Sequence, residues 1–126
     1  MKNIIFVLAT ISSFTSVQNI CINYELVNDA QAVLIDNEYY VALITEPIFS
    51  LSERAALCDK IASDIKVKTG KKANVIIDCG LFYDIKYLKS TNLNDVELVD
   101  RIKTYFLRRN YEYYRNNRSQ KTWITA

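Results

Sequence analysis

The residues with the clearest chemical potential are arginines interleaved with tyrosines near the C-terminus. Residues 101–126 hold seven basic residues and one acidic residue, whereas residues 1–100 hold nine basic and thirteen acidic ones. Guanidinium groups attract phosphates and carboxylates, and aromatic rings stack on bases or lie at the level of lipid headgroups. This segment therefore predicts a polyanion-binding helix, whose candidate residues are Arg108, Arg109, Arg115 and Arg118.

Three interpretations of this basic helix are open. In the first, the helix docks on the domain through its tyrosines and its arginines lie in solvent. In the second, the arginines bind an anionic membrane or a cell-wall polymer, with tyrosines at the headgroups. In the third they bind nucleic acid, an interpretation that a leader for export disfavours.

The composition excludes several catalytic classes. The chain contains no histidine, which removes Ser-His-Asp and Cys-His nucleophile systems and imidazole metal sites. Its two glycines, Gly70 and Gly80, are isolated, so no phosphate-binding loop is present. Asp78 and Asp84 are interpreted as solvent-facing carboxylates rather than metal ligands. We therefore expect no catalytic site, no metal and no cofactor, and a protein that is not an enzyme.

Three cysteines offer a different chemistry. Cys58 lies on the apolar stripe of a predicted helix, and Cys79 alternates with apolar residues on a predicted strand. Both are either buried thiols or partners in a helix-to-strand disulfide, which would contribute roughly 3 kcal/mol in the chain-entropy model. Cys21 is a candidate lipid-attachment site, although the bulky Ile20 precedes it.

The N-terminus has the pattern of an export signal. Lys2 precedes an apolar run that continues to Phe14, which is too short for a transmembrane helix. Ser13 and Thr15 fit the small-residue positions before a cut. We expect residues 1–21 to be a signal peptide or an N-terminal anchor, with a first strand of a cytosolic protein as the alternative.

Periodicity and caps predict the remaining elements. Ser50 and Glu53 form a capping box, and Gly70 suits the end of the same helix. Asn94 followed by Glu97 predicts the start of the basic helix. The predicted elements are strands 31–36, 39–45 and 73–79 and helices 51–68, 81–89 and 95–116.

This order predicts an α+β fold, a two-layer α/β sandwich with a β-β-α-β core followed by C-terminal helices. A hairpin turn at Asn37 joins the first two strands. The connection from the second strand to the third is long enough for a crossover, so these two strands can run parallel. We assign residues 22–90 to the small α/β domain and residues 91–126 to the basic, tyrosine-rich helix and tail. The predicted core brings together Leu43, Cys58, Ile61, Ile65, Val75 and Ile77.

Residues 29–88 resemble the sporulation lipoprotein YhcN/YlaJ family of spore-forming bacteria. The resemblance lies in the hairpin DAQAVLIDNEYYVALI, in the helix and strand LCDKIASDIKVKTGKKANVIID, and in the short helix LFYDIKYL. It implies an exported, membrane- or cortex-associated spore protein with a β-β-α-β core and no known catalysis, which acts in spore germination or outgrowth. The small exported BON-type binding domain is a related alternative.

Overall fold

A computed structural model describes residues 17–109 of the chain. Its centre is a three-stranded sheet in the order β1-β2-β3, formed by β1 (Val27–Ile35), β2 (Glu38–Thr45) and β3 (Ala73–Ile77). β1 and β2 are antiparallel, and β2 and β3 are parallel. The predicted α+β class, the β-β-α-β order along the chain and the parallel orientation of β2 and β3 are confirmed.

A tight turn between β1 and β2 sets their register. Asp36 and Asn37 both adopt positive φ, at 50° and 67°, which matches the right-handed twist of a two-residue hairpin. Tyr39 consequently lies opposite Leu34, and Val33 lies opposite Tyr40. The predicted turn at Asn37 is confirmed.

Helix α1 (Leu51–Thr69) connects β2 to β3 and covers one face of the sheet. The hydroxyl of Ser50 accepts a hydrogen bond from the Glu53 backbone N–H at 3.3 Å, and Gly70 ends the helix in the left-handed conformation at φ 76°. Ile61 and Ile65 are fully buried against Leu43. Both predicted caps and the predicted core around Ile65 are therefore confirmed.

Helices also cover the opposite face of the sheet. Helix α2 (Cys79–Ser90) and the helical residues 96–109 bury Leu81, Ile85 and Ile102 there, together with Tyr40 and Ala42 of β2. Residues 39–43 are all buried, as in a central strand covered on both sides. The predicted two-layer sandwich therefore describes the sheet and α1 only, and a further layer of helices covers the opposite face of the sheet.

A short helical segment, residues 17–22, packs beside α1. Val17 and Cys21 are fully buried and Ile20 is nearly so, all within the core cluster of the α1 face. The Gln18 side-chain amide donates to the Ala30 carbonyl at 2.9 Å, which fastens the segment to β1. These residues were assigned to the leader, and here they complete a core.

Several predicted boundaries were wrong. β1 begins at Val27 rather than at residue 31, and β3 ends at Ile77 rather than at Cys79. Leu51 continues the apolar spacing of α1 in the sequence, which predicts burial, but its side chain is 81% exposed. The basic helix is capped by Asp95, whose carboxylate accepts from the Leu98 N–H, and not by Asn94. None of the helices described is long and apolar enough to cross a membrane.

Candidate functional site

The candidate site is a half-open cleft of about 650 Å³ between the first turn of α2 and the helical residues 96–109. It lies where the polypeptide leaves the carboxyl end of β3. Asp78, Asp84 and Asp100 contribute carboxylates to its lining, and Arg101 and Arg108 contribute guanidinium groups. The cleft therefore presents both signs of charge.

Asp78 links the structural elements that form this cleft. One carboxylate oxygen accepts from the Leu81 N–H at 2.8 Å and caps α2. The other oxygen accepts a hydrogen bond from the Tyr105 hydroxyl and lies 3.9 Å from the Arg109 guanidinium. Asp78 thus joins β3, α2 and the basic helix through a network of charge-assisted hydrogen bonds.

Tyr105 is the middle member of this network. Arg109 donates from Nε to its hydroxyl at 3.3 Å, and the guanidinium lies 5.7 Å from the centre of its ring. Burial, and after it the hydrogen bond to Asp78, raise the pKa of the Tyr105 hydroxyl. The neutral tyrosine can therefore donate to the carboxylate over the whole physiological pH range.

Two of the four cations in residues 101–109 form an ion pair with a carboxylate, and the other two do not. Lys103 contacts Asp36 at 2.6 Å, and this hydrogen bond raises the pKa of the ammonium; Arg109 contacts Asp78. Arg101 and Arg108 form no ion pair within residues 17–109. They lie seven residues apart, so both project from one face of the helix over about 10 Å.

The charge order along the helix has a structural consequence as well. Asp95, Glu97 and Asp100 lie at its beginning, and the cations begin at Arg101. Acidic residues at the N-terminal end and basic residues toward the C-terminal end both favour the helix dipole. The helix docks through Leu98, Ile102 and Phe106, which are buried, and only partly through Tyr105.

The structure separates the predicted polyanion-binding residues. Arg108 is exposed on the cleft, whereas Arg109 is held by Asp78 and Tyr105. Arg115 and Arg118 lie outside the described residues. The prediction omitted Arg101, which the seven-residue spacing to Arg108 would have placed on the same face.

The cysteines are not where the predicted disulfide needs them. Cys21, Cys58 and Cys79 are free thiols, so the structure contains no Cys58–Cys79 bridge. Cys58 packs with the α1-side core, and burial raises its pKa to about 11. Cys79 is exposed at the start of α2, and Cys58 is only partly buried. The alternative of two buried thiols is therefore wrong for Cys79 and holds only in part for Cys58.

Cys21 lies where a lipid anchor would conflict with the packing. Its side chain is fully buried, and burial raises the thiol pKa to about 12. A lipidated cysteine is the first residue of its mature chain, with its sulfur at the membrane. Such a modification would require Val17 and Ile20 to be cut away and Cys21 to leave the core.

The acidic residues do not assemble into a metal site within the described part of the chain. No group of three or more cysteine, aspartate or glutamate side chains is arranged there so that it could hold a metal ion. Asp78, which was interpreted as solvent-facing, is the N-cap of α2 and only 22% exposed. Its role was present in the sequence as an aspartate just before an apolar helix, the preferred position of an N-cap.

Comparison with known proteins leaves the family open. No protein-family model matches the chain, and no curated protein matches it. The resemblance of residues 29–88 to the YhcN/YlaJ family therefore stays a prediction.

Proposed function

We propose that this protein is a non-enzymatic, exported, envelope-associated module that binds an anionic polymer or membrane surface through the cationic end of its C-terminal helix. Export rests on the leader pattern of the first residues. A role at the spore envelope, in germination or outgrowth, rests on the YhcN/YlaJ resemblance alone.

The observation that carries the binding proposal is the exposure of Arg101 and Arg108 on one helical face. Neither has an ion-pair partner among residues 17–109, whereas Lys103 and Arg109 do. Guanidinium groups without a carboxylate partner can exchange water and counterions for phosphate or carboxylate oxygens. Both can contact the same extended surface because they lie about two helical turns apart.

The nearby carboxylates restrict the kind of ligand. Asp84 and Asp100 line the cleft beside the two arginines and repel a small anion that enters it. An extended polyanion can instead lie across the mouth of the cleft and contact the exposed ends of the two arginines without entering it. We therefore propose a polymer or a lipid surface rather than a small metabolite.

Nucleic acid is the second candidate, and one observation favours it. Tyr83 and Tyr87 of α2 are 57% and 58% exposed, and they lie four positions apart on one face of the helix. Exposed aromatic rings in such a row can stack on successive bases. Tyr105 is less suited to this role, because the Arg109 guanidinium already lies over its ring.

Vesicle co-sedimentation tests the proposal. The full chain is mixed with vesicles of phosphatidylcholine alone or of phosphatidylcholine with phosphatidylglycerol, with and without single-stranded DNA as a competitor. An arginine near an anionic surface contributes about 1 kcal/mol, so Arg101→Gln with Arg108→Gln should weaken binding to the anionic vesicles roughly 10- to 30-fold. The matched control, Lys66→Gln with Lys86→Gln, removes the same charge from α1 and α2 and should retain most of the affinity.

The outcomes separate the candidates. Preferential binding to anionic vesicles that depends on Arg101 and Arg108 supports the proposed function. Binding to DNA with loss of the vesicle interaction supports the second candidate. In that case Tyr83→Leu with Tyr87→Leu should weaken the binding to DNA. Equal retention on both kinds of vesicle without DNA binding contradicts both.

A further inference from the structure

Two carboxylates of the cleft between α2 and the basic helix have no partner among residues 17–109. The side chains of Asp84 and Asp100 accept no hydrogen bond and form no ion pair there. Asp100 adds to the rise in the Lys103 pKa, but the Lys103 ammonium contacts Asp36. Asp78, the third carboxylate of the cleft, is already occupied by the α2 backbone and by side chains of the basic helix. A ligand in the cleft therefore meets Asp84 and Asp100.

The arginines on the same cleft do not pair with these carboxylates. Arg101 and Arg108 are exposed, and no carboxylate among the described residues forms an ion pair with either. Opposite charges that line one cavity without contacting each other leave room for a ligand that carries both signs. Such a ligand replaces the water around all four groups with charge-assisted hydrogen bonds.

The walls of the cleft are helical faces, with one free carboxylate on each. Gly80 and Asp84 lie four positions apart on α2, and Asp100 and Arg108 lie two such intervals apart on the basic helix. Gly80 leaves the α2 wall open, because a Cβ added there would contact only Oδ1 of Asp78, at 3.4 Å. The cleft, of about 650 Å³, therefore admits a small group between the two carboxylates.

We propose that the cleft binds a zwitterionic group in which a short link joins a primary ammonium to a phosphate. The ammonium enters between Asp84 and Asp100, which accept its hydrogen bonds. The phosphate stays at the mouth, where Arg101 and Arg108 donate to it. The inference rests on the proposed function, because the same two arginines contact the anion there.

The charges of the cleft favour this chemistry over its simpler relatives. Two unpaired carboxylates repel a plain phosphate, and two guanidinium groups repel a plain amine. A primary ammonium donates three hydrogen bonds and can satisfy both carboxylates, whereas a trimethylammonium donates none. Phosphoethanolamine is a small group of this kind, and it occurs both free and as the headgroup of phosphatidylethanolamine.

Vesicles of matched charge test the ammonium contact. The full chain is mixed with vesicles that hold one fixed fraction of phosphatidylglycerol, and the remaining lipid is either phosphatidylcholine or phosphatidylethanolamine. Both of these headgroups are zwitterionic, but only the ethanolamine ammonium donates hydrogen bonds. We expect roughly tenfold tighter binding to the vesicles with phosphatidylethanolamine, because charge-assisted hydrogen bonds replace repulsion.

Variants of the two carboxylates assign this preference to the cleft. Asp84→Asn with Asp100→Asn should reduce the ratio of the two affinities to about one, without weakening binding to the phosphatidylcholine vesicles. The matched control, Glu25→Gln with Asp59→Asn, removes the same charge from exposed positions outside the cleft and should keep the ratio. A preference that survives in the Asp84→Asn, Asp100→Asn protein overturns the inference.

Filling the cleft from its wall is an independent test. Gly80→Leu places a branched side chain in the open space, and Gly80→Ala adds one methyl group beside Asp78. With folding checked by urea denaturation, the leucine variant should lose the preference for phosphatidylethanolamine and keep its arginine-dependent binding to anionic vesicles. The alanine variant should keep both, and an equal preference in the two variants overturns the inference.

Free phosphoethanolamine distinguishes a soluble ligand from the lipid headgroup. The backbone amide signals of residues 80–84 and 100–108 should shift saturably with phosphoethanolamine and hardly at all with inorganic phosphate or ethanolamine alone. Such shifts without a preference among vesicles identify the free form as the ligand. No shift, together with equal binding to both kinds of vesicle, overturns the inference but leaves the proposed function in place. Failure to bind any anionic vesicle contradicts the proposed function instead.

Discussion

The packing of residues 17–22 leads to the sharpest prediction, since residues 17–21 fall within the predicted leader. The test compares two isoleucines two positions apart in this helical segment. Ile20 is 8% exposed within the core of the α1 face, and Ile22 is 46% exposed. Ile20→Ala should therefore destabilise the protein, and Ile22→Ala should have a much smaller effect.

The magnitude follows from the carbon atoms removed. Isoleucine to alanine removes three methyl or methylene groups, which contribute about 0.8 kcal/mol each when buried. The cavity left in the core cluster of the α1 face adds to this loss, so Ile20→Ala should cost about 2–4 kcal/mol. Ile22→Ala should cost under about 1 kcal/mol, because half of its side chain already contacts water.

Urea denaturation of the two full-length variants, in parallel with the unmodified chain, measures the difference. The midpoint should fall for Ile20→Ala while the slope with urea stays constant, which indicates lost stability rather than a changed unfolded state. Costs of less than about 0.5 kcal/mol for both variants would refute the packing of this segment.

The same packing limits where a leader can be removed. A cut between Thr15 and Ser16, where the small residues fit a cleavage site, leaves Val17 and Ile20 in place. A cut just before Cys21 removes both from the core. Mass spectrometry of the protein from its native host should therefore find a mature chain that retains Val17, and a chain that begins at Cys21 would contradict this account.

Three further predictions concern the core and the cleft. Ile65→Ala should cost about 2–5 kcal/mol in urea denaturation, and Val67→Ala, at an exposed position of the same helix, under about 0.5 kcal/mol. Asp78→Ala removes the cap of α2 and its bond to the basic helix and should cost about 1–3 kcal/mol, whereas Asp84→Ala in the same cleft should be nearly neutral. The Cys21 pKa rises from 9.0 to about 12 on folding, so its contribution to stability is complete below pH 9 and is lost as the pH rises toward 12. In that window, stability should fall less steeply for Cys21→Ala, by up to about 1.4 kcal/mol per pH unit; identical slopes would contradict burial of this thiol.

Local patterns predicted the elements on the α1 side. Ser50 and Gly70 bracket a helix by mechanisms that need only neighbouring residues, and the spacing of Ile61 and Ile65 marks its buried face. The continuous apolar run of β2 is typical of a strand that is buried on both faces, whereas the prediction had helices on one face of the sheet only. The second helical layer was not predicted, because nothing in the residues around Leu98 and Ile102 indicates the face of the sheet on which they pack.

Long-range contacts were beyond the sequence. The bond between Tyr105 and Asp78 joins residues 27 positions apart, and nothing in the spacing of either residue indicates the other. The leader pattern of the first residues rests on composition, and a helical segment that packs in a core has the same composition. Burial of Cys21 therefore depends on the tertiary fold and not on any local signal.

For the proposed polyanion-binding residues, too, the composition could be read from the sequence and the long-range contacts could not. The basic composition after residue 100 was evident, but the pairing of Lys103 with Asp36 and of Arg109 with Asp78 was not. These pairs reduce the cations available within residues 101–109 to Arg101 and Arg108. The total charge of a segment is thus a poor guide to the charge that a ligand meets.

A paired salt titration tests the central claim most directly. Binding of the unmodified chain to anionic vesicles should weaken as salt is added, because cations at a polyanionic surface release counterions. The Arg101→Gln, Arg108→Gln protein should bind more weakly and with a shallower dependence on salt than the Lys66→Gln, Lys86→Gln control. Identical affinities and identical salt dependence for the two double variants would contradict the claim that Arg101 and Arg108 form the binding surface.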